Sequence, residues 1–226
     1  MCSLGAIALV GGDEFKAKVA AVDRFLLDLA ARSPASVAIL PTAATPENPE
    51  LAAANGLAHF QSLGAKPHAV MILDSPTAND DVRVSQLQEA DLVYLTGGSP
   101  MHLLDSLRGS RAWQCLVEMW RRGVIIAGSS AGAMVLCDKM LYRGQLLDGL
   151  GLVRQVAVVP HFEDSSTDFI ERLQSAIPTD LTLLGIDSAT GYVGIGSQWR
   201  VVGAGQVTMI TKSSCLSFPA GTEPDL

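Results

Sequence analysis

Residues 123–137 constrain the fold of this chain most, because a short apolar run there meets a turn of small residues and then a helix-like run. Residues 128–132 match G-x-S-x-G, the nucleophile elbow, in which a strand ends in a strained turn that lifts a serine hydroxyl above the sheet. Small residues on both sides of Ser130 let strand and helix pass closely and leave the N–H of Ala131 where an oxyanion would form. The pattern predicts a nucleophilic Ser130. The alternative is a tight strand-to-helix turn that only needs small residues.

Composition narrows the class of protein. The chain has 226 residues, enough to bury roughly 70% of its unfolded surface in one core. Hydrophobic residues make up 48% and charged residues 17%, which favours a sheet covered on both faces. The formal net charge of −7 disfavours nucleic acid and anionic membranes as partners, because no excess of lysine and arginine is available for phosphates. We therefore expect a small soluble substrate.

The N-terminal apolar run has no basic region before it and is followed directly by Asp13 and Glu14, so it is predicted to be a first strand rather than a signal peptide. No run approaches the ~18 apolar residues that a membrane span needs. The cysteines show neither C-x-x-C nor Cys/His ligand spacing and are predicted to be reduced thiols; they are Cys2, Cys115, Cys137 and Cys215. We expect a cytoplasmic protein without a metal and, because no G-x-G-x-x-G follows the first strand, without a cofactor.

Apolar runs and helix-like segments alternate along most of the chain, which predicts an α/β fold with a doubly wound, mostly parallel sheet. The predicted strands cover residues 4–10, 37–40, 70–73, 92–95, 124–127 and 156–159. A polar loop is expected near 139–148. From 191 to 210, short β-type runs alternate with glycine-rich turns and predict antiparallel hairpins at the sheet edge. We expect one domain over 1–218 and a frayed tail over 219–226.

Residues 11–15 spell Gly-Gly-Asp-Glu-Phe, the signature string of diguanylate cyclases, but only ten residues precede it. A cyclase domain needs a long segment before the string. We therefore interpret it as a turn between strand and helix, with Asp13 near the helix N-cap, where carboxylates are favoured.

The base that a serine nucleophile needs is predicted to be His161, which follows the strand at 156–159. Open α/β sheets place their sites at the carboxyl ends of their strands, which is also where Ser130 is expected. A serine hydroxyl is a poor nucleophile until a positioned base takes its proton. The remaining histidines are interpreted as structural or surface residues; they are His59, His68 and His102.

The second oxyanion donor is predicted to be the N–H of Gly98, because a Gly-Gly turn after a strand lets the backbone approach a substrate closely. The acid that would orient His161 is open on these grounds alone. Carboxylates near the sheet-edge loops are the candidates; they are Asp148, Glu163, Asp164 and Asp187.

The order and spacing of several short strings resemble peptidase family S51, the serine peptidases grouped with dipeptidase E and cyanophycinase on a class I glutamine amidotransferase-like fold. The strings occupy residues 9–15, 39–43, 95–98, 128–132, 149–152, 161–162, 185–187 and 189–190. The resemblance implies Ser130 as nucleophile, His161 as base, and Gly98 with Ala131 as oxyanion donors. Related amidotransferases carry cysteine at the elbow, so Ser130 argues against glutamine hydrolysis.

The chain also departs from this family. Its members usually have glutamine before the His-Phe pair and basic residues soon after it, which receive an acidic substrate side chain. Here Pro160 precedes the pair and residues 163–166 read Glu-Asp-Ser-Ser, so a preference for N-terminal aspartate is not expected. Relatives supply the orienting acid from the loop after the elbow helix, where this chain offers Gln145 and Asp148, with Asp138 earlier, in the helix. We predict Asp148, ahead of Asp187 and of a dyad without an acid.

The sequence thus predicts a serine hydrolase that cleaves a small peptide or amide through an acyl-enzyme on Ser130. The alternative is a catalytically impaired relative that uses the elbow as a ligand-binding turn. The oligomeric state stays open, with a homodimer as one candidate.

Overall fold

The computed structural model describes residues 4–226, so the expectation for Cys2 lies outside the described residues. The strands are β1 (Ile7–Val10), β2 (Ser36–Leu40), β3 (Lys66–Ala69), β4 (Leu92–Leu95), β5 (Ile125–Ser129), β6 (Lys139–Tyr142), β7 (Gln145–Asp148), β8 (Val156–Pro160), β9 (Thr182–Ile186), β10 (Thr190–Ile195), β11 (Gln198–Gly203), β12 (Gln206–Ile210) and β13 (Cys215–Pro219). The helices are α1 (Ala20–Leu29), α2 (Pro49–Ser62), α3 (Ser75–Ala78), α4 (Asp81–Leu87), α5 (Pro100–Leu107), α6 (Arg111–Arg121), α7 (Ala131–Leu136) and α8 (Thr167–Ala176).

Over the described residues, the larger sheet has seven strands in the order β11-β10-β1-β5-β4-β2-β3. The five strands from β1 to β3 in that order are parallel, and β10 and β11 extend the sheet in antiparallel fashion. A second sheet has the order β13-β12-β9-β8, with β8 and β9 parallel. The predicted fold class, an α/β fold with a mostly parallel sheet and C-terminal hairpins, is confirmed.

The large sheet is covered on both faces, because side chains of its strands alternate between two apolar clusters. In β1, Leu9 belongs to the cluster under α5, α6 and α7, whereas Ala8 and Val10 belong to the cluster under α1 and α2. The first cluster also contains Leu184 of β9, so it continues beneath the second sheet. Among residues 4–226, no helix combines the length and apolarity needed to cross a bilayer.

Three features of the structure differ from the prediction: the position of one strand, the conformation of one loop and the sheet that one strand joins. The strand expected at 70–73 lies at 66–69, because the edge pairing with β2 is made by the earlier backbone while the buried Val70 and Ile72 pack below it. The expected polar loop at 139–148 is the β6–β7 hairpin, which closes through Arg143 and Gly144, both with positive φ. The strand at 206–210 joins the second sheet instead of the edge of the first.

The segment after Pro219, predicted to be frayed, is held against the large sheet. The N–H of Val201 donates to Thr222 O at 2.9 Å, and the N–H of Gly221 donates to Val201 O at 2.8 Å. The hydroxyl of Tyr192 donates to Pro224 O at 2.8 Å. These bonds satisfy backbone groups along the outer edge of the sheet.

Candidate active site

Ser130 stands in a strained turn between β5 and α7, with φ 47° and ψ −107°. Glycines on both sides of it are required by close contact: a Cβ at Gly128 would overlap the backbone of Gly132, and a Cβ at Gly132 would lie 2.5 Å from Leu95 O. The Ser130 side chain is partly exposed and makes no capping bond to α7. This is the geometry of a nucleophile elbow, with backbone strain concentrated at the residue that is presented.

Three consecutive carbonyls at the end of β1 hold the separate parts of the site. Val10 O accepts from Ser130 N–H at 2.9 Å, Gly11 O from His161 N–H at 3.0 Å, and Gly12 O from Ala189 N–H at 3.1 Å. Residues 10–12 therefore place the end of β5, the end of β8 and the loop after β9 side by side. The structure brings Ser130 and His161 together, but from two sheets instead of the single sheet edge that the sequence predicts: Ser130 follows β5 of the seven-stranded sheet, and His161 follows β8 of the four-stranded sheet.

His161 is exposed and has the left-handed conformation, with φ 53° and ψ 43°. Its imidazole lies directly over Gly12, where any Cβ would overlap the ring. The Nδ1 atom lies 2.9 Å from Ser188 Oγ, a distance typical of a hydrogen bond. The partner of the imidazole is thus a serine hydroxyl and not a carboxylate.

Glu163 stands behind this pair. Its Oε2 accepts from the Ser188 N–H at 2.7 Å. Burial acts to raise the pKa of Glu163, but hydrogen bonding from Ser188, with a smaller contribution from His161, outweighs burial and holds the pKa below its usual value. The Glu163 carboxylate is therefore connected to the His161 imidazole through Ser188, which lies between them.

Sequence reasoning did not identify Ser188, although the resembling string at 185–187 ends immediately before it. Serine is common in loops, and nothing in its local sequence marks it. The parallel pairing of β8 with β9, which places Pro160 opposite Ile186, brings the two following loops together.

Asp148 is not at the site. It ends β7, its side chain is 72% exposed, and its Oδ1 pairs with Lys139 Nζ at 2.7 Å across the hairpin. The prediction that Asp148 orients His161 is not supported, because the hairpin pairing turns this carboxylate toward lysine.

Asp187, the second candidate for the orienting acid, lies beside Ser188, but its Oδ2 accepts from Gln206 N–H at 3.0 Å. Its Oδ1 is buried and has no partner among the described residues. Burial raises the pKa of Asp187, and the nearby charge of Glu163 acts in the same direction. The hydrogen bond of the Asp187 carboxylate therefore goes to the backbone at Gln206 and not to the His161 imidazole.

The two predicted oxyanion donors are free. Within residues 4–226, neither the N–H of Gly98 nor that of Ala131 donates a hydrogen bond. Ala131 is the first residue of α7, where orphan N–H groups favour negative charge, and Gly98 has φ 131°.

The other histidines have structural partners. His59 Nε2 lies 2.7 Å from the buried Asp23, His68 Nε2 lies 3.1 Å from Gln86 O, and His102 Nε2 lies 2.7 Å from Leu73 O. In the part of the chain that the structure describes, no three His, Cys, Asp or Glu side chains are grouped to hold a metal. The described cysteines Cys115, Cys137 and Cys215 are free.

The fold and this edge define the class of protein: an α/β protein that presents a serine at the carboxyl end of a parallel sheet. Known proteins are similar to this chain in sequence and in fold. The model of peptidase family S51 matches residues 7–200. A cyanophycinase of Trichormus variabilis is 30% identical over 91% of this chain and 73% of its own length.

An uncharacterised peptidase of Listeria monocytogenes is 28% identical over 63% of this chain and 72% of its own length. The crystal structure of a peptidase from an acI-B1 actinobacterium superposes with a TM-score of 0.88 at 30% identity, covering 100% of this chain and 98% of that one. The chain belongs to peptidase family S51 and is a serine-type peptidase.

Proposed function

We propose that the protein hydrolyses a small peptide through an acyl-enzyme, with Ser130 as nucleophile and His161 as general base. The single observation that carries the proposal is the row of carbonyls at residues 10–12, which fixes the backbones of Ser130 and His161 next to each other. The strained φ of Ser130 supports it, because such strain persists where it presents a functional group.

The proposed reaction begins with the proton on Nδ1 of His161, which donates to Ser188 Oγ and leaves Nε2 to accept. Nε2 takes the proton of Ser130 as Oγ attacks the substrate carbonyl carbon. The N–H groups of Gly98 and Ala131 receive the oxyanion. Collapse of the intermediate expels the amine, which takes the proton from His161. A water molecule then attacks the acyl carbon as Nε2 takes its proton. The bond from this carbon to Ser130 Oγ breaks, Oγ takes the proton back from Nε2, and the acid is released.

Ser188 changes the energetics of this step. A carboxylate beside the imidazole would fix its tautomer and stabilise the imidazolium, whereas a hydroxyl supplies a neutral hydrogen bond of about 1 kcal/mol. The charge of Glu163, held behind Ser188, supplies the remaining attraction for the imidazolium. We infer that His161 acts as a general base, but that its imidazolium form is stabilised less than it would be by a directly bonded carboxylate.

For the substrate, we propose small peptides whose N-terminal residue is neutral or basic. Glu163 and Asp164 are exposed next to His161, and like charges would repel an aspartyl side chain there. The measurement is kcat/KM for Asp-Leu against neutral and basic dipeptides. A value for Asp-Leu more than tenfold above every neutral dipeptide, about 1.4 kcal/mol, would overturn this preference.

The second candidate is a catalytically impaired relative that uses the elbow to hold a ligand, which the hydroxyl of Ser188 in place of an acid favours. Labelling with a fluorophosphonate, read by intact mass, separates the two. Our proposal expects one label per chain, none in Ser130→Ala, and labelling slowed ~10²–10⁴-fold in His161→Ala. Full labelling of Ser130→Ala would remove Ser130 as nucleophile, and an unlabelled wild type would favour the impaired relative.

A further inference from the structure

Glu14 joins three parts of the candidate site that no other side chain connects among the described residues. Its Oε1 accepts from the N–H of Gly97, in the turn after β4, at 2.8 Å. Its Oε2 accepts from the hydroxyl of Ser129, the residue before the nucleophile, at 2.8 Å. Glu14 itself lies in the turn after β1, directly beyond the carbonyls that hold Ser130 and His161.

The chain is built to keep Glu14 in this place. Residues on both sides have left-handed backbones, Asp13 with φ 61° and Phe15 with φ 65°, a conformation that costs side-chain-bearing residues free energy. The Phe15 ring packs 5.2 Å from the ring of Tyr94 and fixes the turn on the sheet. Gly97 is equally constrained, because a Cβ there would lie 2.6 Å from Glu14 Oε1.

Glu14 controls the peptide that carries the proposed oxyanion donor. Gly98 lies between two anchored N–H groups: that of Gly97 bonds to Glu14, and that of Ser99 bonds to Ala43 O at 2.7 Å. The Gly98 N–H between them has no partner in the described chain and is available to a substrate. Without the bond to Glu14, only one side of this peptide would be held.

We infer that Glu14 is a positioning residue, which sets the Gly98 N–H and the Ser130 elbow at a fixed separation through its two hydrogen bonds. This inference rests on the proposed function. Because the oxyanion forms only in the transition state, loss of this positioning should lower kcat and leave KM nearly unchanged.

Three substitutions at position 14 separate geometry from charge. In Glu14→Gln, the amide oxygen can accept from Gly97 and the amide nitrogen can donate to Ser129 Oγ, so both bonds are kept while the charge is lost. In Glu14→Asp, the charge is kept, but the side chain is one methylene too short to reach both partners. Glu14→Ala removes both bonds. Asp13→Asn is the matched control, because it removes a charge from the same turn, and within residues 4–226 the hydrogen bonds that Asp13 accepts come from Lys16 alone.

The measurement is the second-order rate constant of fluorophosphonate labelling at Ser130. We expect Glu14→Ala and Glu14→Asp to be slowed about tenfold to a hundredfold, since loss of an oxyanion donor costs ~10²–10³ and displacement costs less. Glu14→Gln should stay within about threefold of wild type, and Asp13→Asn within about twofold.

A wild-type rate in Glu14→Ala would overturn the inference. So would a slow Glu14→Gln beside a fast Glu14→Asp, which would show that charge and not geometry matters. If Glu14→Ala does not fold, the Gln and Asp variants decide between these outcomes. A failure of the proposed function would look different, because wild type would then carry no label at Ser130.

Discussion

Gly12 leaves no room for a side chain, because the His161 imidazole occupies the space where one would begin. Its φ of 143° is also unfavourable for any residue with a Cβ. Gly12 therefore contributes to the site twice: its carbonyl holds the N–H of Ala189, and its lack of a side chain leaves room for the imidazole.

Gly12→Ala should push the imidazole away from Ser130 and slow labelling about a hundredfold, as a misplacement near 1 Å does. Gly64→Ala is the control, because Gly64 also has positive φ, 86°, but has no atom near its Cβ position. That variant should lose about 1 kcal/mol of stability and label normally. Normal labelling of Gly12→Ala would mean that His161 is not the base in this orientation.

Ser188→Ala should lower kcat only about threefold to tenfold, because it removes one neutral hydrogen bond of about 1 kcal/mol. Loss of a triad carboxylate would cost up to ~10⁴. Steady-state kinetics on the best dipeptide gives the comparison. The control is Ser175→Ala, because the Ser175 hydroxyl donates to Arg172 O, away from His161. A loss above a thousandfold would show that the hydroxyl acts as a full triad member.

Among the elements, the β6–β7 hairpin shows where sequence reasoning failed and why. Its two-residue turn, Arg143-Gly144, is a recognisable hairpin signal, and most residues on either side of it are apolar, so the prediction of a polar loop overlooked a hairpin pattern. Once paired, the hairpin places Asp148 opposite Lys139. Asp148, which lies thirteen residues before His161 in the sequence, therefore forms an ion pair with Lys139.

Asp148→Asn should leave kcat unchanged and alter the free energy of unfolding only slightly, because an exposed ion pair contributes little. Turnover and a urea titration of the same preparation check both parts. A hundredfold loss of kcat with normal stability would return Asp148 to the site.

The elbow and His161 are predictable because each follows an apolar run that forms a strand and stands at the carboxyl end of that strand, although the two strands lie in different sheets. Ser188 and Glu14 are not, because their roles depend on partners 27 and 115 residues away. Hydrogen bonds between side chains of distant loops leave no periodic trace in a single sequence.

For the molecule as a whole, we expect the ionisation of Asp187, which lies between β9 of the second sheet and β10 of the large sheet, to affect the free energy of unfolding. Burial raises the pKa of Asp187, so its ionisation is less favourable in the folded chain than in the unfolded one. Such a carboxyl destabilises the fold above both pKa values and has no effect below both. Asp187→Asn keeps an oxygen for Gln206 N–H and removes the charge.

The urea midpoint of Asp187→Asn should therefore exceed that of wild type at pH 7. The difference should shrink as the pH falls through the raised pKa of the folded state and should be absent below about 4. Asp164→Asn, at an exposed carboxylate of the same edge, should show no difference at either pH. A lower midpoint for Asp187→Asn at pH 7 would mean that the charged form is stabilised in the fold.

The carbonyl row at residues 10–12 has a consequence for how this chain tolerates change. The groups that hold the parts of the site together there are main-chain carbonyls, which every residue type carries. Neighbouring side chains can therefore be substituted while these hydrogen bonds are kept. A volume-conserving exchange such as Leu9→Met should leave labelling intact. Chain length has no such latitude: one residue inserted between Val10 and Gly12 would offset every later anchor, and labelling should disappear although the sheet still forms.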